Sequence, residues 1–423
     1  MRNFLVHTRD AEKAAYLWNV IAYTGSSFQS MLLMLVISRR GNMIDTAITS
    51  IAFTVASMFL LVGKYAIRNY QVSDIKNEYT YKDYLYARGI TILWMVLVAA
   101  FYLAYCYIYK EYSVTKMFCM IFIMGFRFEE AVEDSLHADL QRHGRLDIAA
   151  KIWAVRTWIY IVCFAVLYYA TDRILIASAG GLAVSVLFFV WMNYSVYDLF
   201  PRDREYEWVR IWGIIKNCFP PAASTMTLAY IANATKYTVD AVSSSEEQAC
   251  FNIICMPVFV ITLLGNYIFI PIVKKMASLW CRGQVLEVKR TVLRQIMILA
   301  VFSGVVALAG KWFGVRFLGF LYGVSLEHYE DEFVLLMAAG GAIAVFNLLI
   351  AVSTVIRRQK MLIYISLAAS AVLIAGNKMI LLRWGMRNMC LFYALAVISM
   401  SVLTLVLIIV YINLGGRRAL NGQ

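Results

Sequence analysis

A dense run of ionisable side chains in this sequence sits at the end of an apolar stretch. Arg127-Phe128-Glu129-Glu130-Ala131-Val132-Glu133-Asp134 follows the segment from Val114 to Phe126, whose only charge is Lys116. At 100° per residue, Arg127, Glu130 and Asp134 share a helical stripe about 60° wide, and Glu133 and His137 lie beside it. An ionisable group inside hydrocarbon costs at least about 2.5–3.5 kcal/mol on insertion scales, so it must face a partner or a polar cavity. Two roles fit the spacing. Arg127 pairs locally with Glu130 while the other acids are solvated at the helix end, or the cluster faces a cavity as part of a functional site.

Arg156 stands inside another apolar stretch, about 12 Å along it at 1.5 Å per residue. It either serves such a site or snorkels back to the surface. Lys64 and Lys378 lie nearer the ends of their stretches, where snorkelling is expected. Pro220-Pro221 falls within a further apolar stretch and is expected to interrupt its helix, freeing carbonyls that need other partners. Tyr79, Tyr81, Tyr84 and Tyr86 fit an interfacial aromatic belt. The eight cysteines are single, with no Cys-x-x-Cys pair or Cys/His cluster, and are expected to be structural thiols. No metal site follows from them. The chain has no Walker-type glycine loop, no His-Glu-x-x-His and no Gly-x-Ser-x-Gly, so a catalytic role is not expected.

What must position these groups is a membrane. Of 423 residues, 62% are hydrophobic and 15% charged, and the mean hydropathy is +0.68. A soluble core so apolar would leave too little polar surface to cover it. Apolar stretches long enough to cross fall roughly at 15–37, 44–67, 90–109, 114–133, 148–170, 174–197, 211–234, 249–273, 292–311, 333–356, 361–382 and 389–414, which makes about twelve spans. The expected fold class is therefore all-α and polytopic. The first stretch reads as an uncleaved span.

With Met1 in the cytoplasm, alternate connections carry most of the 39 Lys and Arg. Arg68, Lys82, Arg142, Arg145 and Arg290 are among those inside. Arg39, Arg40, Lys110, Arg173 and Arg383 are among the fewer outside. This bias places both termini in the cytoplasm. A net charge of +13 is then met by topology and anionic membrane lipids rather than by nucleic acid. The polar stretch from Asp198 to Arg210 divides the chain into two sets of six spans, expected as lobes at 1–200 and 201–423. The longest outer connection is expected at about 314–332, too short for a catalytic domain.

Several stretches resemble a known family. Gly63-Lys64-Tyr65-Ala66-Ile67-Arg68-Asn69-Tyr70-Gln71-Val72-Ser73-Asp74 leads to Tyr81-Lys82-Asp83-Tyr84 and Arg88. Gln141-Arg142-His143-Gly144-Arg145-Leu146-Asp147-Ile148-Ala149-Ala150-Lys151 opens the fifth span. Tyr230-Ile231-Ala232-Asn233-Ala234-Thr235-Lys236-Tyr237-Thr238-Val239-Asp240 precedes Met256-Pro257-Val258-Phe259-Val260-Ile261, and Arg357-Arg358-Gln359 follows the tenth span. Together they resemble the oligosaccharide flippases of the multidrug/oligosaccharidyl-lipid/polysaccharide (MOP) exporter superfamily, in the polysaccharide biosynthesis branch. Ile270-Pro271 departs from the pattern, which would have a basic residue before that proline.

The resemblance implies two six-helix lobes around a central cavity in the plasma (inner) membrane. The implied cargo is a polyprenyl-pyrophosphate-linked oligosaccharide, flipped to the outer leaflet for cell-surface polysaccharide. Its implied partners are this lipid-linked oligosaccharide, membrane lipids, a polysaccharide polymerase and glycosyltransferases. Guanidinium groups can pair pyrophosphate oxygens bidentately. On that reading Arg127 and Arg156 lie nearest the headgroup, with Arg68 and Lys236 at the inner and outer mouths. Glu130, Glu133 and Asp134 are the candidate acids for a coupling H⁺ or Na⁺, and no other cofactor is expected. Two alternatives remain beside it: a drug/cation antiporter of the same superfamily, and a membrane polymerase or ligase acting on the same carrier.

Overall fold

The computed structural model describes residues 2–74, 78–200, 205–262, 276, 278–280, 282–356, 358 and 360–421. Among them all regular structure is helical. The helices are α1 (Arg2–Val6), α2 (Ala11–Arg39), α3 (Met43–Lys64), α4 (Ile67–Ser73), α5 (Tyr81–Tyr109), α6 (Val114–Arg142), α7 (Leu146–Thr171), α8 (Ile174–Val196), α9 (Trp208–Val242), α10 (Ser245–Ile254), α11 (Val285–Ala309), α12 (Val315–Tyr322), α13 (Glu330–Val355) and α14 (Lys360–Asn421). The chain is an all-α polytopic membrane protein. Eight segments among the described residues are long and apolar enough to cross a bilayer. One of them, within α14, is split into two limbs at Gly385 (φ 82°, ψ 177°). Helices α6 and α9 are as long as the others but carry too many polar residues to meet that criterion.

Local chemistry starts these helices. The side chains of Asp10, Asn42 and Ser113 accept the amides of Lys13, Asp45 and Lys116. Thr80 with Asp83 and Ser244 with Glu247 form reciprocal capping boxes. The amide of Lys13, then its side chain, holds the Asp10 carboxyl below the usual carboxylate range.

Three expectations are corrected. Helical structure runs unbroken across Pro220-Pro221 within α9. The predicted outer connection at 314–332 is largely helix, because Val315, Leu318 and Tyr322 are buried on one face and a π turn at Gly310–Gly314 carries α11 into α12. Tyr81 and Tyr84 are buried rather than interfacial, and the Tyr84 hydroxyl donates to Asp74 at 3.1 Å.

The chain forms two compact units, Met1–Met226 and Thr227–Gln423. In the first, α6 is the central helix, packed by α3, α4, α5, α7 and α8, while α2 lies along α7. Ile211, Ile214 and Ile215 of α9 join Tyr65, Ile67 and Tyr84 in one apolar cluster. The short α1 is docked by Leu5, which is fully buried. Lys151 donates to the carbonyls of Phe4 (2.9 Å) and Leu5 (3.2 Å) and to Thr8 Oγ1 (2.8 Å). In the second unit, α11, α13 and α14 pack around Val292, Leu299, Leu348, Val352 and Ile408. An apolar cavity of about 380 Å³, lined by Ile365, Val372, Phe392 and Met400, opens between the limbs of α14.

Between α3 and α4 the backbone turns sharply at Tyr65 (φ 44°) and Ala66 (φ 56°), both in the left-handed region. For non-glycine residues this costs on the order of 1–2 kcal/mol each.

Candidate functional site

Helix α6 carries acids on two adjacent faces, and the first unit supplies cations to both. On the face shared by Arg127, Glu130 and Asp134, Lys64 Nζ reaches Glu130 Oε1 at 2.7 Å and Arg127 donates to Glu130 Oε2. Asp134 accepts from Arg88 at 2.7 Å and from Arg68 at 3.3 Å. Arg68 also donates to Gln141 Oε1 at 2.8 Å. On the neighbouring face, Arg156 Nε donates to Glu133 at 2.9 Å and Nη1 lies 3.6 Å from Glu129. Ser185 donates to Glu129 at 2.8 Å, Asn193 to Glu133 at 3.5 Å, and His137 lies 3.6 Å from Glu133. The result is five cations interleaved with four carboxylates along about two turns of one helix.

Burial sets the character of this network. Arg88 and Arg156 are 1% and 0% exposed, and all four carboxylates are buried. The side chains of Lys64 and Arg68, by contrast, remain 29% and 28% exposed. Aromatic rings line the apolar end: Arg156 lies over Phe126 at 4.8 Å, and Phe126 stacks on Tyr160 at 4.1 Å. Several buried polar atoms have no protein partner, among them Arg88 Nε, Arg127 Nε, Arg156 Nη2, Glu129 Oε1 and the Tyr160 hydroxyl. Burying paired charges is close to neutral at best, while removing one partner typically costs about 3–5 kcal/mol. The network therefore holds together as a unit, and an anion entering it must exchange with a carboxylate.

The structure gathers six of the seven residues singled out from sequence, Arg127, Arg156, Arg68, Glu130, Glu133 and Asp134, into this one network. Lys236 belongs to the second unit, half-buried on α9. Arg127 makes the local pair with Glu130 that its spacing allowed. Arg156 does not snorkel; it is enclosed by α6 and α8 groups. Lys64 was expected to snorkel and instead reaches inward to Glu130, whereas Lys378 is exposed as expected.

Sequence reasoning missed the part played by Arg88, which counts as a loop cation when only charge bias is read. The signal was present: Tyr81, Tyr84, Arg88, Thr91 and Met95 recur at helical spacing, and all five are buried. Glu129, Ser185 and Asn193 carried no such signal. Ile270, Pro271, Arg357 and Gln359, along with Cys281 and the loop cations Lys76, Arg202, Arg204, Lys274 and Lys275, lie outside the described residues. Among the described residues no three His, Cys, Asp or Glu side chains are grouped to hold a metal ion.

No family model and no curated protein sequence matches the chain. Solved structures do. An inward-facing multidrug resistance MATE family transporter of the MOP superfamily superposes with a TM-score of 0.71 at 11% identity, over 94% of this chain and 99% of that one. An outward-facing multidrug resistance MATE family transporter gives 0.58 at 12% identity, over 100% and 99%. A MOP superfamily transporter from Pyrococcus furiosus, described as having a binding pocket of reverse polarity that suggests a different function, gives 0.59 at 12% identity, over 98% of both chains. At these identities the likeness shows a shared fold.

Proposed function

We propose that this chain, whose fold is that of MOP-superfamily transporters, is a membrane transporter whose cargo is a polyprenyl-pyrophosphate-linked oligosaccharide. The observation that carries the reading is the cation-rich network around α6. With five cations against four carboxylates the network holds a surplus of one positive charge, which disfavours a drug cation, whereas a pyrophosphate can exchange with the carboxylates and be bound bidentately by guanidinium groups. Reverse polarity of a binding pocket is also what distinguishes the Pyrococcus furiosus relative. That relative lends the idea precedent on this fold.

Exposure orders the cations. Lys64 and Arg68 keep accessible surface and receive the headgroup first. Arg127 shares Glu130 with Lys64, so it responds to the same exchange. Arg156 lies fully buried, its Nε and Nη1 held by Glu133 and Glu129 and its Nη2 without a protein partner, so it is the last cation a headgroup meets. Lys236, on the second unit, is the remaining cation proposed to meet the cargo. As phosphate takes a cation, the released carboxylate is free to take up H⁺ or Na⁺, which couples ion to cargo through a shared partner.

The second reading, a drug/cation antiporter, is favoured by the multidrug transporters that share the fold. One comparison separates the two. Lys64→Ala with Arg68→Ala should lower surface polysaccharide at least about tenfold while the protein stays in the membrane. Unchanged polysaccharide together with lost drug resistance would move the assignment to the antiporter.

A further inference from the structure

The backbone between α3 and α4 breaks where its own sequence gives no reason to break. Val62-Gly63-Lys64-Tyr65-Ala66-Ile67-Arg68 contains no proline, and its glycine is still helical. The residues that leave the helix are Tyr65 and Ala66, each with a side chain in the left-handed region. Alanine is the strongest helix former, and a Cβ opposes that backbone conformation. The break is therefore imposed from outside.

Three sets of contacts impose it. Arg88 and Thr91 both donate to the Gly63 carbonyl at 2.8 Å, taking the acceptor that a continuing helix would use. Lys64, just before the break, is drawn to Glu130, and Arg68, just after it, to Asp134 and Gln141. Asp134 is the hub, because Arg88 holds the carbonyl on one side of the break and Arg68 lies on the other, and both end on this carboxylate.

We propose that this elbow is the moving part of the first unit, a two-state element held bent by Asp134 and Glu130. In the bent state ion pairs and a satisfied Gly63 carbonyl offset two strained residues. When an anion competes for Arg68, or when Asp134 is neutralised, Tyr65 and Ala66 return to helical geometry and α4 swings away from α6. Strain of this kind persists only where surroundings over-determine it, and it clusters at switch regions. The purpose of the movement rests on the transporter reading, but its existence does not.

The test reads geometry directly in the full chain reconstituted in lipid, with spin labels introduced through Val72→Cys on α4 and Leu85→Cys on α5 and the native cysteines replaced. Pulsed electron paramagnetic resonance should give two distances. Ala66→Gly, which removes only the methyl group opposing the left-handed backbone, should enrich the bent population about fivefold and raise the melting temperature. Asp134→Asn should enrich the other population. Arg68→Gln, which leaves the Arg88–Asp134 pair in place, should do the same where Asp134→Asn lowers the yield of folded protein. One unchanged distance in all of these proteins overturns the elbow, as does a melting-temperature gain for Ala66→Gly with no population shift. A static elbow in a chain that still transports leaves the transporter reading standing, whereas a moving elbow in a chain that transports nothing removes that reading alone.

Discussion

Replacing Arg156 by methionine isolates what the buried network contributes. The substitution keeps much of the side chain's volume and its packing against Phe126 but removes the guanidinium that, among the described residues, serves Glu133 and Glu129. Glu133 is then left with Asn193 at 3.5 Å and His137 at 3.6 Å, and Glu129 with Ser185 alone. Two carboxylates, both buried, lose their charge partner in a site that water does not freely reach. Breaking one buried pair costs about 3–5 kcal/mol. For a unit of this size, each kcal/mol moves the midpoint by about 2–4 °C, so the melting temperature should drop by at least about 6–12 °C.

The second half of the experiment is Arg156→Met combined with Glu133→Gln. Removing the stranded charge along with the cation should recover at least half of the lost stability, since deleting a whole buried pair costs far less than breaking it. Fluorescence-detected thermal unfolding of the purified protein measures both steps, and export in cells is read in parallel. Because Arg156 is the innermost of the cations proposed to meet the headgroup, and fully buried, export should stay low in the double variant even as stability returns. Wild-type stability in Arg156→Met would refute the pairing. Export restored together with stability would instead confine Arg156 to holding α6 and α7 together.

Three further outcomes are expected. In proteoliposomes with imposed pH or Na⁺ gradients, Glu130→Gln and Asp134→Asn should lose gradient-driven transport while still binding cargo; coupling that survives in both assigns the acids to structure alone. Lys151→Met removes the three hydrogen bonds that dock the N-terminal segment. It should lower stability by about 1–3 kcal/mol and expose α1 to protease, and a protected α1 would show that Leu5 with the Arg145–Val6 and Thr8–Asp147 hydrogen bonds suffices. Reporter fusions after Lys110 and after Gln423 should report opposite sides of the membrane, and a common side would refute both cytoplasmic termini and the twelve-span reading.

What the sequence determined by itself follows from properties that are local and additive. Hydropathy summed over about 20 residues marks a span whatever its neighbours are, so the polytopic all-α class could be read directly. So could the placement of Arg127, Glu130 and Asp134 on one stripe of α6, which depends only on helical periodicity. The same periodicity marked the face of α5 that buries Arg88, although charge bias drew attention away from it. Only tertiary structure decided which cation meets which acid. Asp134 shares a stripe with Arg127 yet pairs with Arg88 and Arg68, from helices 46 and 66 residues away in sequence. Glu129 acquires significance only because Ser185 of α8 and Arg156 of α7 converge on it. The elbow at Tyr65 and Ala66 is the sharpest case: no proline stands there, and Ala66 is the strongest helix former. The break exists because Arg88, Glu130 and Asp134, brought in by the fold, outweigh the left-handed strain of two residues. Pairings of this kind depend on the relative placement of whole helices, which no single stretch of sequence encodes.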